Sequence, residues 1–159
     1  MDNKGRIYWF TGQSGAGKTV LATKLKEFLQ TEKRNWRKDV FQIDGDIVRE
    51  LTNNQDHSEV GQTENIKDTQ LIAQYIHDSG SDVVVSMVTP YKELREGFKA
   101  QIGEKIVEIY VYTTKKKLAQ PIADYEVPEE NFFEINTTSD NPTQSFSKLI
   151  NYLKDIDKL

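Results

Sequence analysis

Residues 12 to 19 read Gly12-Gln13-Ser14-Gly15-Ala16-Gly17-Lys18-Thr19, a complete G-x-x-x-x-G-K-[ST] phosphate-binding loop. The glycines of such a loop let successive backbone N–H groups turn inward around a polyphosphate, and the following helix adds the positive end of its dipole. Lys18 would reach the β- and γ-phosphates of a nucleoside triphosphate, and the Thr19 hydroxyl would ligate Mg²⁺. The implied ligand is ATP-Mg²⁺ or a close analogue.

A second constellation follows at Asp44-Gly45-Asp46, with Arg49 one helical turn after Asp46. Two carboxylates beside a magnesium-nucleotide site could hold the metal's water shell and accept a proton from an attacking hydroxyl, while Arg49 could clamp an anionic acceptor. The bland alternative makes Asp44-Gly45 a tight turn and Asp46 a helix cap. A third strand ends in Val85-Ser86, where many phosphate-loop ATPases carry an aspartate, and no guanine-selective N-K-x-D motif is present. A motor or GTPase is therefore disfavoured, and Asp44 and Asp46 would have to supply the acidic function.

These groups must be held by strands and helices in alternation. Ile7-Tyr8-Trp9-Phe10 is a short aromatic and β-branched run suited to a buried strand, and Thr19 to Gln30 carries Leu21, Leu25 and Phe28 at helical spacing. Asp39 to Ile43 reads as the second strand and Asp46 to Leu51 as a short helix. A longer helix is predicted over Thr63 to Asp78, with Thr63 as N-cap and Ile66, Leu71, Ile72, Tyr75 and Ile76 on its apolar side. Asp82 to Val88 is continuously apolar enough for a parallel strand covered on both faces. A helix from Pro90-Tyr91 to about Gln101, strands at Ile106 to Tyr112 and Phe132 to Ile135, and an amphipathic helix over Thr143 to Lys154 complete the series. The order implies a three-layer α/β/α phosphate-loop nucleoside triphosphate hydrolase fold around a five-stranded, mostly parallel sheet. Ligands would sit at the carboxyl ends of its strands. The long irregular stretch Thr113 to Asn131, with Pro121 and Pro128, is the segment most open to a functional role.

Length and composition fit one domain over residues 1–159, with a real core, no cysteine for disulfides or thiolate metal sites, and no membrane-spanning run. A cytoplasmic protein is expected, with no membrane partner. The net charge of −4 has its signs interleaved, which argues against nucleic acid as a partner. The basic cluster Lys115-Lys116-Lys117 is expected to be a solvated loop.

Taken in order, four segments resemble the adenylylsulfate (APS) kinases, which phosphorylate the 3′-hydroxyl of adenosine 5′-phosphosulfate with ATP-Mg²⁺. They are the phosphate loop, Asp44-Gly45-Asp46-Ile47-Val48-Arg49, Glu64-Asn65-Ile66-Lys67 and Ser86-Met87-Val88-Thr89-Pro90-Tyr91. They are similar to the family's phosphate loop and its D-G-D-x-V-R, E-N-I-R and S-F-I-S-P-Y segments. The resemblance implies a role for Asp44 near magnesium and the acceptor hydroxyl, and acceptor binding by Asp46, Arg49 and Asn65 and around Thr89-Pro90. On residue type alone, Asn65 would read as a polar residue on a solvated helix face. The resemblance also places nucleobase contacts near Asn136-Thr137-Thr138, and it allows a homodimer.

Three departures accompany the likeness. The family's D-R before E-N-I-R is Gly61-Gln62 here, which removes a bidentate cation from the acceptor side. Its adenine-stacking F-S is His57-Ser58, so the imidazole would stack in place of phenylalanine. The lid segment R-D-x-K-G-L-Y-K is absent, leaving only Tyr125-Glu126-Val127-Pro128-Glu129, which resembles the lid's far end, Y-E-x-P-E. Three readings follow: an APS kinase-like enzyme, a kinase for another nucleotide-like or sugar-like alcohol, and a nucleotide-binding module without efficient turnover.

Overall fold

The computed structural model describes residues 3–32, 39–115 and 124–159. Lys116, Lys117 and Pro121, which the sequence singles out, lie outside these residues. Five strands, β1 (Ile7–Thr11), β2 (Val40–Asp44), β3 (Asp82–Ser86), β4 (Ile106–Tyr112) and β5 (Phe132–Asn136), form one sheet in the order β2-β3-β1-β4-β5. All four pairings are parallel. β1 and β3 are buried along their whole length, as their unbroken apolar runs require.

Side chains alternate across the sheet and so build two cores. Tyr8, Phe10, Val84, Ile109 and Ile135 pack on one face against Leu21 and Leu25 of α1 (Lys18–Glu32) and Leu149 and Leu153 of α5 (Pro142–Asp155). Ile7, Trp9, Val83 and Val85 pack on the other face against Ile66 and Ala73 of α3 (Glu59–Asp78) and Phe98 of α4 (Lys92–Ile102). A short helix α2 (Gly45–Leu51) links β2 to the connection into α3. Among the described residues no helix is long and apolar enough to cross a membrane.

The helix α3 departs from expectation in two ways. It starts at Glu59 rather than near Thr63, because the Ser58 hydroxyl caps it by accepting from Gly61 N, and Asp56 Oδ1 in turn holds Ser58 N at 2.8 Å. A Cβ on Gly61 would lie 2.1 Å from the Asp56 carbonyl oxygen. Glycine there permits the tight closure rather than breaking the helix. Its buried stripe is also different: Gly61, Asn65, Ile66, Thr69, Ala73 and His77 face inward, whereas Leu71 is 65% and Tyr75 75% exposed. Apart from Ile66, small and hydrogen-bonded side chains let the helix lie close to its neighbours, and Leu71, Ile72 and Tyr75 are left outside.

Other boundaries shift by one or two residues, among them the start of α4, at Lys92 rather than Pro90-Tyr91. β3 ends at Ser86 rather than Val88, since Thr89 takes a left-handed backbone with φ 47° that no strand can continue. α5 starts at Pro142 rather than Thr143, with Asn141 and Gln144 forming a reciprocal capping box.

Candidate active site

The carboxyl ends of β1, β2 and β3 bring the predicted groups to one edge of the sheet. The phosphate loop leaves β1 through Gly12, whose φ of 144° and whose Cβ position, 2.0 Å from the Val111 carbonyl oxygen, admit only glycine. Gly15 and Gly17 also take positive φ, and α1 begins at Lys18, so the loop's N–H groups precede a helix N-terminus. Gln13, Ser14 and Ala16 lie within this turn, where Gln13 O accepts from both Ala16 N and Lys18 Nζ.

Lys18 is 8% exposed, and its Nζ donates to Gln13 O at 2.8 Å. Burial lowers its pKa to about 8, opposed by the nearby carboxylates of Asp46 and Asp44. Lys18 and the two aspartates are thus electrostatic neighbours, although 26 or more residues separate them in sequence. The Thr19 hydroxyl donates to Asp44 Oδ2 at 3.4 Å, while Asp44 Oδ1 accepts from Asp46 N at 2.9 Å. Asp44 therefore caps α2 and also presents a carboxylate oxygen beside Thr19. The capping alternative for this residue is met, and its second carboxylate oxygen is turned toward Thr19. A hydroxyl and a carboxylate side by side are the hard oxygen donors Mg²⁺ takes when phosphates and water complete its shell. Among the described residues no group of three or more acidic or histidine side chains forms a self-sufficient metal cage.

The residues expected on the acceptor side fall into two groups. Asn65 is 2% exposed, and its Nδ2 donates to Gly45 O at 3.0 Å, which pins the Asp44-Gly45-Asp46 turn to α3. The solvated-face alternative for Asn65 is ruled out by this burial. Its Oδ1, together with Gln62 Oε1 and Ser86 Oγ, is buried without a hydrogen-bond partner, and Ser86 pairs in register with Asp44. Asp46 is exposed at the start of α2.

Arg49, His57, Thr89 and Pro90 do structural work first. Arg49 Nη1 donates to the Asp56 carbonyl at 2.7 Å and to Asn54, so the guanidinium closes the 52–58 loop. His57 is exposed on that loop, and its carbonyl accepts from Gln62 Nε2. The Thr89 hydroxyl accepts from Trp9 Nε1 at 2.9 Å and donates to Met87 O, while Pro90 O accepts from Glu126 N at 2.9 Å.

On the other side of the loop a cavity of about 230 Å³ opens between Gly17 and Val20, the end of β4 at Thr113 and Lys115, and Thr137 and Ser145 near α5. Thr137 Oγ1 donates to Ala16 O at 2.8 Å, tying the phosphate loop to this wall. The chain's sequence from residue 4 to 121 matches the adenylylsulphate kinase family. The chain belongs to the adenylylsulphate kinase family. It is 31% identical to the adenylyl-sulfate kinase of Staphylococcus epidermidis, over 96% of this chain and 86% of that protein. Among solved structures, the hexameric APS kinase of Thiobacillus denitrificans is 28% identical, with a TM-score of 0.79 over 99% of this chain and 30% of that one. The APS kinase of Mycobacterium tuberculosis in complex with AMPPNP and APS shares the fold, with a TM-score of 0.79 at 20% identity over 95% and 98% of the two chains. Membership in the adenylylsulphate kinase family makes the chain an ATP-dependent phosphotransferase.

One group of site-supporting residues escapes sequence reasoning. Arg95 on α4 and Glu108 in β4 are 4% and 2% exposed and face each other, with Arg95 Nε 2.9 Å from Glu108 Oε1. The available signal was Glu108 itself. A lone carboxylate inside the apolar run Ile106 to Val111 requires a buried cation to accompany it.

Proposed function

We propose that this chain transfers the γ-phosphoryl group of ATP to the 3′-hydroxyl of adenosine 5′-phosphosulfate. The observation that carries the reading is the convergence of Lys18, Thr19 and the Asn65-pinned Asp44-Gly45-Asp46 turn at one sheet edge, in a chain of this family. Gly12 to Thr19 would cradle the phosphates by backbone N–H groups, and Lys18 would neutralise charge on the transferring group. Thr19 and Asp44 would hold Mg²⁺, which supplies further neutralisation when bound. Asp44 would orient the acceptor hydroxyl and take its proton as the new oxygen–phosphorus bond forms and ADP leaves.

Asp46, Arg49, His57, Asn65, Thr89 and Pro90 would shape the acceptor pocket. The cavity beside Thr137 and Ser145 would take the nucleobase of ATP. Residues 1–159 act as one kinase domain in this reading, located in the cytoplasm. Self-association is part of the same proposal, supported by the exposed apolar stripe of Leu71, Ile72 and Tyr75. The direct test is ADP release from ATP-Mg²⁺ with and without the acceptor. Stimulation by adenosine 5′-phosphosulfate is expected, and an unchanged rate would exclude it as the acceptor.

Gln62 supplies a second test. It stands where the family has an acceptor-side arginine, and its amide spends Nε2 on His57 O while Oε1 is left unpartnered. A guanidinium there would add a charge-assisted contact to the anionic acceptor, so Gln62→Arg should tighten acceptor binding about tenfold. Calorimetric titration of the acceptor into both proteins checks this; equal or weaker binding by the variant would show that position 62 does not face the anion.

A further inference from the structure

Residues Tyr125 to Glu129 do not hang free as the remnant of a lid. Glu126 N donates to Pro90 O at 2.9 Å, and Glu126 Oε2 accepts from Lys92 N at 2.5 Å. The second bond caps α4, whose own N-cap residue, Tyr91, makes no side-chain capping bond. The Tyr125 hydroxyl lies 2.8 Å from Thr11 Oγ1, the residue that opens into the phosphate loop, and Lys92 Nζ pairs with Glu129. This segment is a strap laid across the β3–α4 turn.

Arg95 is the centre of the arrangement. Its Nη1 donates to Thr89 O at 2.6 Å, its Nη2 to Glu126 O at 2.5 Å, and its guanidinium carbon lies 5.5 Å from the centre of the Tyr125 ring. Glu108, held also by Lys99 at 2.5 Å, fixes the guanidinium from below. The turn it grips is strained: Thr89, a β-branched residue, has φ 47° and is 1% exposed. Such a conformation persists only when its surroundings over-determine it, and here the restraints are Trp9 and Thr11 from β1, Arg95 from α4, and the strap through Pro90.

From this geometry we infer that Arg95 is a positioning residue for the acceptor. By locking the Tyr125–Glu129 strap onto Thr89-Pro90, it sets the shape of the acceptor wall without touching the acceptor. The inference rests on the proposal that Thr89-Pro90 line the acceptor pocket. It assigns the lid's surviving end a fixed, pre-organising role in place of a mobile one. The Thr11–Tyr125 contact also joins this wall to the strand that carries the phosphate loop.

The test is steady-state kinetics of Arg95→Met, which keeps a long side chain and leaves Lys99 to pair with Glu108. Misplacing a binding wall by a fraction of an ångström should raise KM for adenosine 5′-phosphosulfate about tenfold or more while KM for ATP changes less than about twofold. A merely structural role would instead raise both KM values together, or lower the melting temperature with neither changed, and either result overturns the inference. Amide hydrogen exchange at Glu126 reads the strap independently of any acceptor. It should quicken in Arg95→Met, and unchanged exchange would also overturn the inference. Should Arg95→Met fail to fold, Tyr125→Phe, which removes only the hydroxyl on Thr11, must show the same split in KM. Absence of turnover in the parent protein with altered exchange in the variant would count against the acceptor assignment and not against the strap.

Discussion

Replacing Lys18 with alanine should lower phosphoryl transfer about 10³-fold, because it removes the side-chain cation aimed at the group where negative charge develops. The fold should not suffer. Burial depresses the Lys18 pKa to about 8, below the 10.5 of an unperturbed lysine, so the native state holds this proton less readily than the unfolded chain. Below pH 8 both states carry the charge and the native state bears the full penalty of burying it. Between pH 8 and 10.5 the native lysine sheds its proton and the penalty fades, so this residue's contribution to stability rises with pH. Lys18→Ala should therefore melt no lower than the parent at pH 7, as expected for a residue kept for activity at the expense of stability. Calorimetric ATP-Mg²⁺ titrations across pH 7 to 9 provide the accompanying check. Parent affinity should fall as pH passes about 8, and this dependence should vanish in the variant. Unchanged ATP affinity in Lys18→Ala would refute the phosphate-loop assignment.

Asp44→Asn separates chemistry from structure at one position. Asp44 Oδ1 caps α2 through Asp46 N, and asparagine is an equally good N-cap, so the D-G-D turn should persist with Asn65 still bonded to Gly45 O. What is lost is the carboxylate charge and the ability to take a proton from the acceptor. A drop in kcat of about 10² to 10⁴ is expected, with circular dichroism close to the parent and ATP-Mg²⁺ binding weakened by the loss of a magnesium ligand. A fall in kcat of less than about tenfold would move the general base elsewhere in the site.

The phosphate half of the site was legible because its chemistry is contiguous. Strand, glycine loop, lysine and helix follow one another within β1 to α1, and the backbone itself supplies most of the donors. The D-G-D turn was legible for the same reason. The acceptor half is assembled from residues up to 114 positions apart, such as Thr11 and Tyr125, and no local period encodes such a pairing. Arg49 illustrates the difference. Its spacing from Asp46 suggested an anion clamp, yet its Nη1 binds loop carbonyls that sequence cannot bring to it.

The helix α3 was legible as a helix ending at Asp78, but its start and part of its buried face were not, for a physical reason of a different kind. The expected apolar side held Ile66, Leu71, Ile72, Tyr75 and Ile76; Ile66 is buried and Ile76 packs against the core, but Leu71, Ile72 and Tyr75 are exposed and Asn65, Thr69, Ala73 and His77 take the inner face instead. Hydrophobicity favours the exposed set. Close packing favours the inner one, because Thr69 Oγ1 donates back to Asn65 O, the His77 ring bonds to Gly5 O, and Ala73 admits the neighbouring sheet. The short-range cap at Ser58 was hidden behind Gly61, which reads as a helix breaker until the Asp56 carbonyl is seen to occupy its Cβ position.

Phosphoryl transfer to the 3′-hydroxyl of adenosine 5′-phosphosulfate at the Asp44 site is read by following label from γ-³²P-ATP into product, with Asp44→Asn run in parallel. Label should appear on the 3′-oxygen of adenosine 5′-phosphosulfate with the parent and almost none with the variant. Label in free inorganic phosphate alone, from hydrolysis of ATP by water, or equal transfer by both proteins, would overturn this assignment.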